Sequence, residues 1–351
     1  MKKVFMTGYS GGVGQIVSHS LKHKGIKVVG FSRNIKETEG VTEYISGTVT
    51  DYDLLKSSME GCDAILHLAA YHMPYDAREQ EVFEANVGGT FNVFKACAEL
   101  RIQRLAVASS PNAVGYNFAT KGFDLAYVPI DGMTPLFTTD IYSYSKECIE
   151  SVGSYFYRRY GISSVFLRLG LDFRSTVEEW VKTERIRSDL SWLRKTVDEL
   201  LSLPEKEAFA EVRRMENGID AKRREAMTCG VPFKNGTEYV YDKFTEEQRI
   251  WNYYIHNFLM YLDSRDLAEG TIESLSSDFE GAHNIFIADH KNLLGIESAK
   301  IAALLYPGAK ADYPRLEGYD AFVDYRQTER LIGWRAKHSV SDFYDELYSQ
   351  Q

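Results

Sequence analysis

Four cysteines in 351 residues, at positions 62, 97, 148 and 229, stand far apart and show no Cys-x-x-Cys spacing. That argues against a disulfide framework and a cysteine-built metal site, and fits a reducing compartment. No apolar run approaches the ~18 residues that a membrane span requires. Basic charge is also short: 41 Lys and Arg against 50 Asp and Glu leave a formal charge of −9. Such a balance offers no electrostatic footprint for nucleic acid or an anionic membrane surface. Met1-Lys2-Lys3 leads directly into a short apolar segment, without the features of a signal peptide. Internal repeats and low-complexity segments are also missing. These absences predict a cytoplasmic globular protein whose partners are small molecules or protein. At about 150 residues per domain the chain holds roughly two domains, or one with a large insertion.

What is present begins at residue 4. Val4-Phe5-Met6 reads as a buried strand, and Val13, Ile16, Val17 and Leu21 recur on one helix face, so the glycines of Thr7-Gly8-Tyr9-Ser10-Gly11-Gly12-Val13-Gly14 fall on a strand-to-helix turn. Gly8 allows a tight turn, Gly11 lets backbone approach a pyrophosphate, and Gly14 allows helix and strand to pack closely. The helix start offers unpaired N–H groups to the anion, with Ser10 and Val13 beside it.

A second strand, residues 26–31, ends at Ser32-Arg33, about 20 residues beyond the glycines, where dinucleotide folds read the adenosine ribose. An acid there would accept from the 2′-hydroxyl of NAD. An arginine beside a small hydroxyl suits a 2′-phosphate, which favours NADP over NAD. A third strand lies around Val41 to Ile45. Asp51 after it is a candidate partner for the adenine amino group or a plain helix cap. The fourth strand, ending at His67-Leu68-Ala69-Ala70, brings small residues to the cofactor, with His67 read as a core histidine. Asn86-Val87-Gly88-Gly89-Thr90 opens a helix, and a fifth strand ends at Ser109-Ser110. Strand and helix alternate, which predicts a doubly wound parallel sheet of the Rossmann kind.

Tyr142 and Lys146 lie four apart on a predicted helix and project from one face. A neighbouring ammonium favours phenolate and lowers the tyrosine's pKa toward the working range. Ser110 would hold the substrate oxygen in the same crevice. His72, Met73 and Tyr75 follow the fourth strand, and Asn112 follows Ser110; His72 and Asn112 are candidate substrate contacts.

Together these pieces resemble the extended short-chain dehydrogenases/reductases of the NAD-dependent epimerase/dehydratase type. The resemblance is carried by Thr7-Gly8-x-x-Gly11-x-x-Gly14, residues 67–70 and 86–90, Ser109-Ser110, Tyr142-x-x-x-Lys146 and Leu167-Arg168, and further along by residues 263–269, 284–286 and 324–334. It implies Ser110, Tyr142 and Lys146 as the catalytic trio. Gly8, Gly11, Gly14, Leu68, Ala69, Ala70, Asn86 and Lys146 would lie along NADP or NAD. It also implies a homodimer through the helices starting near Asn86 and Tyr142. Arg168-Leu169-Gly170-Leu171-Asp172-Phe173 lacks the turn that sugar-nucleotide members place there, and Ser110 is not followed by the acidic pair of the 4,6-dehydratases. Residues 109–116 are closer to the uronate dehydrogenase branch.

Residues 174–262 break the alternating pattern. One helix is predicted from Val177 to Leu203, a second from Glu205 to Met227, then a loop at Cys229–Gly236. A third helix, opened by Thr245-Glu246-Glu247-Gln248, carries Trp251, Tyr253, Tyr254, Phe258 and Tyr261. These aromatics are either packed core or a substrate wall. The chain is thus divided into a nucleotide-binding domain (1–173), a helical insertion or substrate lid (174–262) and a returning segment (263–351). The function expected is an NAD(P)-dependent interconversion of alcohol and carbonyl on a small cyclic or hydrophobic substrate. Its rivals are an epimerase or dehydratase, and a non-catalytic NADP-binding redox sensor.

Overall fold

The computed structural model describes residues 1–171, 174–228, 243–311 and 316–348, with the side chains of 226–228 left out. Asp172-Phe173, Cys229 and the loop read at 229–236 lie outside the described residues. The first half runs β1 (Lys3–Thr7), α1 (Gly12–His23), β2 (Lys27–Ser32), β3 (Val41–Ser46), α2 (Tyr52–Ser58), β4 (Ala64–His67), α3 (Glu79–Phe83) and α4 (Gly89–Leu100). It continues with β5 (Arg104–Ala108), β6 (Tyr127–Val128), α5 (Ile141–Tyr160) and β7 (Ser163–Leu169). The insertion holds α6 (Val177–Trp180), α7 (Glu184–Ser202), α8 (Glu205–Thr228) and α9 (Glu246–Ile255). Then come α10 (Ser264–Ser276), β8 (Ala282–Ile287), α11 (Ser298–Leu305), β9 (Lys310–Ala311), α12 (Tyr325–Ile332) and α13 (Tyr344–Tyr348).

Seven strands form one sheet in the order β3-β2-β1-β4-β5-β7-β8, and all its pairings are parallel. The central strands are buried on both faces, as their near-continuous apolar runs require. Val4, Met6, Val28 and Leu66 pack toward one side with Val17, Leu21 and Leu267, whereas Phe5, Val29, Phe31 and Ile65 pack toward the other with Phe94 and Phe156. The order reverses between β1 and β4, which opens a crevice at the carboxyl ends of the strands, where ligands bind in such sheets.

The third core joins the insertion to the C-terminal segment: Trp180, Leu190, Leu193 and Trp251 pack in one cluster with Leu293, Ile301 and Phe322. The long helix expected from Val177 is broken. Thr176 caps a four-residue α6, and a fresh start at Thr183 opens α7. The third helix stops at Ile255, and Phe258 and Leu259 follow in left-handed backbone (φ 62° and 51°). Phe258 and Tyr261 therefore belong to the chain beyond the helix. Thr245 caps α9 in the predicted box with Gln248. No described helix is long and apolar enough to cross a membrane.

Candidate active site

The crevice widens into a cleft of about 1570 Å³ that runs from the glycine turn to the insertion. Drug-sized pockets occupy about 300–1,000 Å³, so this one has room for a dinucleotide with a small substrate beside it.

Gly8, at φ +69°, ends β1 so close to the β4 exit that a Cβ there would lie 2.7 Å from the Ala69 nitrogen. At Gly14 a Cβ would meet the Tyr9 carbonyl oxygen at 2.4 Å. Gly11 starts α1 with no side-chain cap and no acid in the first turn, leaving N–H groups and the positive end of the helix to an anion. A hydrogen-bond chain beneath the turn fixes it. Thr7 Oγ1 accepts from the Leu68 and Ala69 nitrogens at 3.1 Å and so donates to His67 Nδ1 at 2.7 Å. His67 Nε2 then donates to Thr90 Oγ1, which donates to the Asn86 carbonyl. Burial lowers the His67 pKa to about 3, helped by the Lys146 charge. It is the neutral core histidine that its apolar strand predicted.

Gly8, Ser10, Gly11, Val13, Gly14, Ser32, Arg33, Leu68, Ala69 and Ala70 all line the cleft, as do His72 and Asn112. Ser10 and Ser32 hydroxyls lie 3.0 Å apart. Arg33 is exposed, with its guanidinium over the Tyr71 ring and donating to the Tyr71 hydroxyl at 3.2 Å.

Two expected cofactor residues stand elsewhere. The Asp51 carboxylate caps α2, accepting from Leu54 N at 3.2 Å, and Thr48, Val49 and Thr50 before it line the cleft. Asn86 is buried with its amide spent: Oδ1 accepts from Tyr71 N, while Nδ2 donates to Tyr71 O and Ser145 Oγ. It braces the loop after β4 against α5 without reaching the cleft wall, where Glu84 and Ala85 stand instead.

Asp140 caps α5 through Ser143 N at 2.8 Å, so Tyr142 and Lys146 leave the first two turns of a well-started helix. Both are buried and line the cleft with Ser110. Beside them Arg168, fully buried, forms a two-pronged pair with Glu150 (3.0 and 2.8 Å), and Ser109 donates to the same carboxylate at 2.7 Å. That triad ties β7, α5 and the end of β5 together, fixing the strand end that carries Ser110. Breaking such a buried pair costs about 3–5 kcal/mol.

The electrostatics differ from expectation. Burial pushes the Tyr142 phenol up to about 12, against a hydrogen bond with Ser110 that lowers it. Lys146 Nζ donates to the Ala108 carbonyl at 2.7 Å and sits 5.6 Å from the Tyr142 ring centroid. Burial in turn lowers Lys146 to about 8. In this form the tyrosine is a proton donor held by Ser110.

The insertion closes the far wall. Trp251, Tyr254, Phe258 and Tyr261 are fully buried core residues, and Tyr253 is the member of that aromatic set at the cleft. Polar groups share this wall: Asn117, Arg174, Arg185, Asp189, Arg249 and Asn257. No motif in the sequence links these residues, which stand far apart in the chain.

The model of the NAD-dependent epimerase/dehydratase family matches residues 4–171. L-arabinose 1-dehydrogenase (NAD(P)(+)) of Haloferax volcanii is 32% identical over 179 residues, covering 48% of this chain and 67% of that enzyme. The chain belongs to the NAD-dependent epimerase/dehydratase family. It is thereby an enzyme of the extended short-chain type, whose relatives are NAD(P)-dependent dehydrogenases and reductases. Uronate dehydrogenase of Pseudomonas putida is 25% identical over 209 residues, 59% of this chain and 71% of that protein. Among solved structures, uronate dehydrogenase from Agrobacterium tumefaciens overlays with a TM-score of 0.58, covering 100% of this chain and 90% of that one. At 13% identity this likeness shows the family's fold alone. The sequence matches with the two dehydrogenases span half to three-fifths of this chain.

Proposed function

We propose that the protein interconverts an alcohol and a carbonyl on a small, cyclic, hydroxylated molecule of the sugar or sugar-acid class, with NADP preferred over NAD. The observation that carries this reading is the meeting of Ser110, Tyr142 and Lys146 at the wall of the cleft that the glycine turn opens. The glycine cradle, the uncapped helix start and the cleft's volume fit a dinucleotide. When bound, its nicotinamide supplies the hydride donor or acceptor.

The chain's own residues do the rest. In the reducing direction Tyr142, neutral by burial, donates its proton to the carbonyl oxygen, and Ser110 holds that oxygen by a hydrogen bond. Lys146 carries the positive charge that supports the phenolate left behind, and its ammonium can bind the ribose hydroxyls. In the oxidising direction Tyr142 takes the proton back, which asks for a lower pKa than burial alone gives it. A cation beside the phenol lowers it.

The hydrophobic substrate expected from the insertion's aromatics loses support, since all of those rings but Tyr253 are core and Asn117, Arg174, Arg185, Asp189, Arg249 and Asn257 line the cleft among the apolar residues. A hydroxylated ring fits that wall, and the arabinose and uronate dehydrogenases act, by name, on such molecules. Arg33, exposed and free of a described carboxylate partner, supports the preference for a 2′-phosphate. We assign residues 174–262 as the substrate-side lid and residues 1–173 and 263–351 as the nucleotide-binding body. Phe83, Phe91, Tyr144, Tyr155 and Tyr160 are exposed on and beside α4 and α5, which supports a homodimer through that face. The free thiols of Cys62, Cys97 and Cys148 suit the cytoplasm.

The test is turnover of L-arabinose, D-glucuronate and D-glucose 6-phosphate with NADP and NAD, followed by nicotinamide absorbance. Stoichiometric reduction of NADP supports the reading. Sugar interconversion without net redox makes the protein an epimerase, and tight nucleotide binding with no turnover makes it a sensor.

A further inference from the structure

We propose that Asn117 determines substrate specificity by presenting its amide N–H to the cleft, and that Arg223 of the insertion, acting through Asn252, fixes that polarity. The inference rests on the reading of the cleft as the site of a hydroxylated substrate. It begins with a charge in an unusual place: Arg223, on α8, is buried to 4% exposure beneath the segment that follows the Ser110 turn. Its guanidinium donates to the carbonyls of Asn117 and Ala119 and to the Asn252 side chain on α9. Asp220, one turn earlier, lies 3.4 Å from it and accepts from Gly122 N at 2.8 Å. The lid helix is thus stapled to residues 117–122.

The order of donors follows from chemistry. A guanidinium only donates, so the Asn252 atom facing Arg223 must be Oδ1. Its Nδ2 must then point away, where it donates to Asn117 Oδ1 at 3.1 Å. With its own oxygen committed, Asn117 keeps Nδ2 without a partner among the described residues, at the cleft wall. The neighbouring Phe118 packs edge-on against the Tyr142 ring, centroids 5.9 Å apart. Asn117 thus shares the cleft with Tyr142, and its N–H donor takes an acceptor oxygen of the substrate, such as a ring or carboxylate oxygen. A substrate offering only a donor there leaves both groups unsatisfied and is disfavoured.

Asn117→Asp keeps the shape and still accepts from Asn252, but presents no donor. KM for the panel sugar turned over, with L-arabinose as the uncharged probe, is expected to rise about tenfold or more, while NADPH affinity and melting temperature hold. Asn252→Asp, away from the cleft, keeps the acceptor for Arg223 and removes the donor to Asn117. It should raise KM about threefold with little change in kcat, as the Asn117 amide loses its fixed sense. Unchanged KM in Asn117→Asp overturns the proposal. A neutron crystal structure of the resting protein reads the amide directly: Asn117 Nδ2 facing the cleft supports it, and Oδ1 facing the cleft overturns it. That measurement holds even where the unmodified protein turns over no sugar, an outcome that sinks the proposed function alone.

Discussion

The two walls of the cleft are built on different principles. The sheet wall is made by backbone: a glycine at φ +69° against the β4 exit, an uncapped helix start, and a helix begun by Asp140 that carries Tyr142 and Lys146 a turn apart. The insertion wall is made by side chains brought from distant places, with Arg223 reaching a carbonyl 106 residues earlier in the chain. Backbone geometry constrains which residue may stand at a position, whereas a side-chain network can be met by many combinations. The proposed chemistry therefore falls on the wall that tolerates least change, and the proposed selectivity on the wall free to vary.

The sharpest test of that division is Tyr142→Phe. It removes the proton donor and leaves the backbone cradle untouched, so kcat is expected to fall by about 10³ with NADPH affinity by fluorescence titration nearly unchanged. Comparable turnover in the variant would mean that the sheet wall does not hold the chemistry. On the other wall, a pair of α9 substitutions separates core from surface. Trp251→Ala removes a fully buried ring and the donor to Glu216 (2.7 Å), and is expected to cost about 3–5 kcal/mol in a denaturant titration. Tyr253→Ala, at a residue 37% exposed on the cleft, should cost less than about 1 kcal/mol and show its effect in substrate KM instead.

How much of this was legible in the chain follows the same division. The parallel sheet, the glycine turn, the Ser110, Tyr142 and Lys146 set and the capping box at Thr245 all rest on local patterns, and the strand-helix alternation could be read from period alone. At Asp51 the two readings left open by the sequence part in the turn: the acid caps α2, and Thr48, Val49 and Thr50 before it line the cleft. Asn86 misled because its motif position is real, but its amide is consumed by Tyr71 and Ser145. The break between α6 and α7 has no proline or glycine to announce it; Val181 and Trp180 are drawn into the core instead. The Arg223 network has no sequence signal at all, since its members share neither a motif nor a spacing. A four-residue spacing places Tyr142 and Lys146 on one face but says nothing of how deeply the phenol is buried, and burial is what raises its pKa in the ligand-free protein.

A smaller effect is expected at the adenosine end. Arg33→Ala should weaken NADPH binding about tenfold, the worth of one or two charge-assisted hydrogen bonds, and leave NADH within about twofold. Equal losses for both nucleotides would remove Arg33 from the 2′-phosphate and leave its stacking on Tyr71 as its role. Beyond the cleft, Phe91→Glu places a charge among the exposed aromatics beside α5 and should halve the mass seen by light scattering, with nucleotide affinity preserved. An unchanged mass would place assembly elsewhere.

A pH dependence follows from burial at the sheet wall. Lys146 is lowered to about 8 by burial, partly offset by Glu150, and Tyr142 is raised to about 12. In the ligand-free enzyme, then, the lysine loses its proton inside the accessible range and the tyrosine does not. Since kcat/KM reports ionisations of the free enzyme, the reductive kcat/KM for NADPH should be flat below pH 7, reach half its plateau near pH 8 as the ammonium is lost, and fall about tenfold per unit beyond. A limb near the ordinary lysine value of about 10.4 would mean that Lys146 is solvated in solution. The sheet wall would then be open to water at Lys146, and the contrast between the two walls would rest on backbone shape alone.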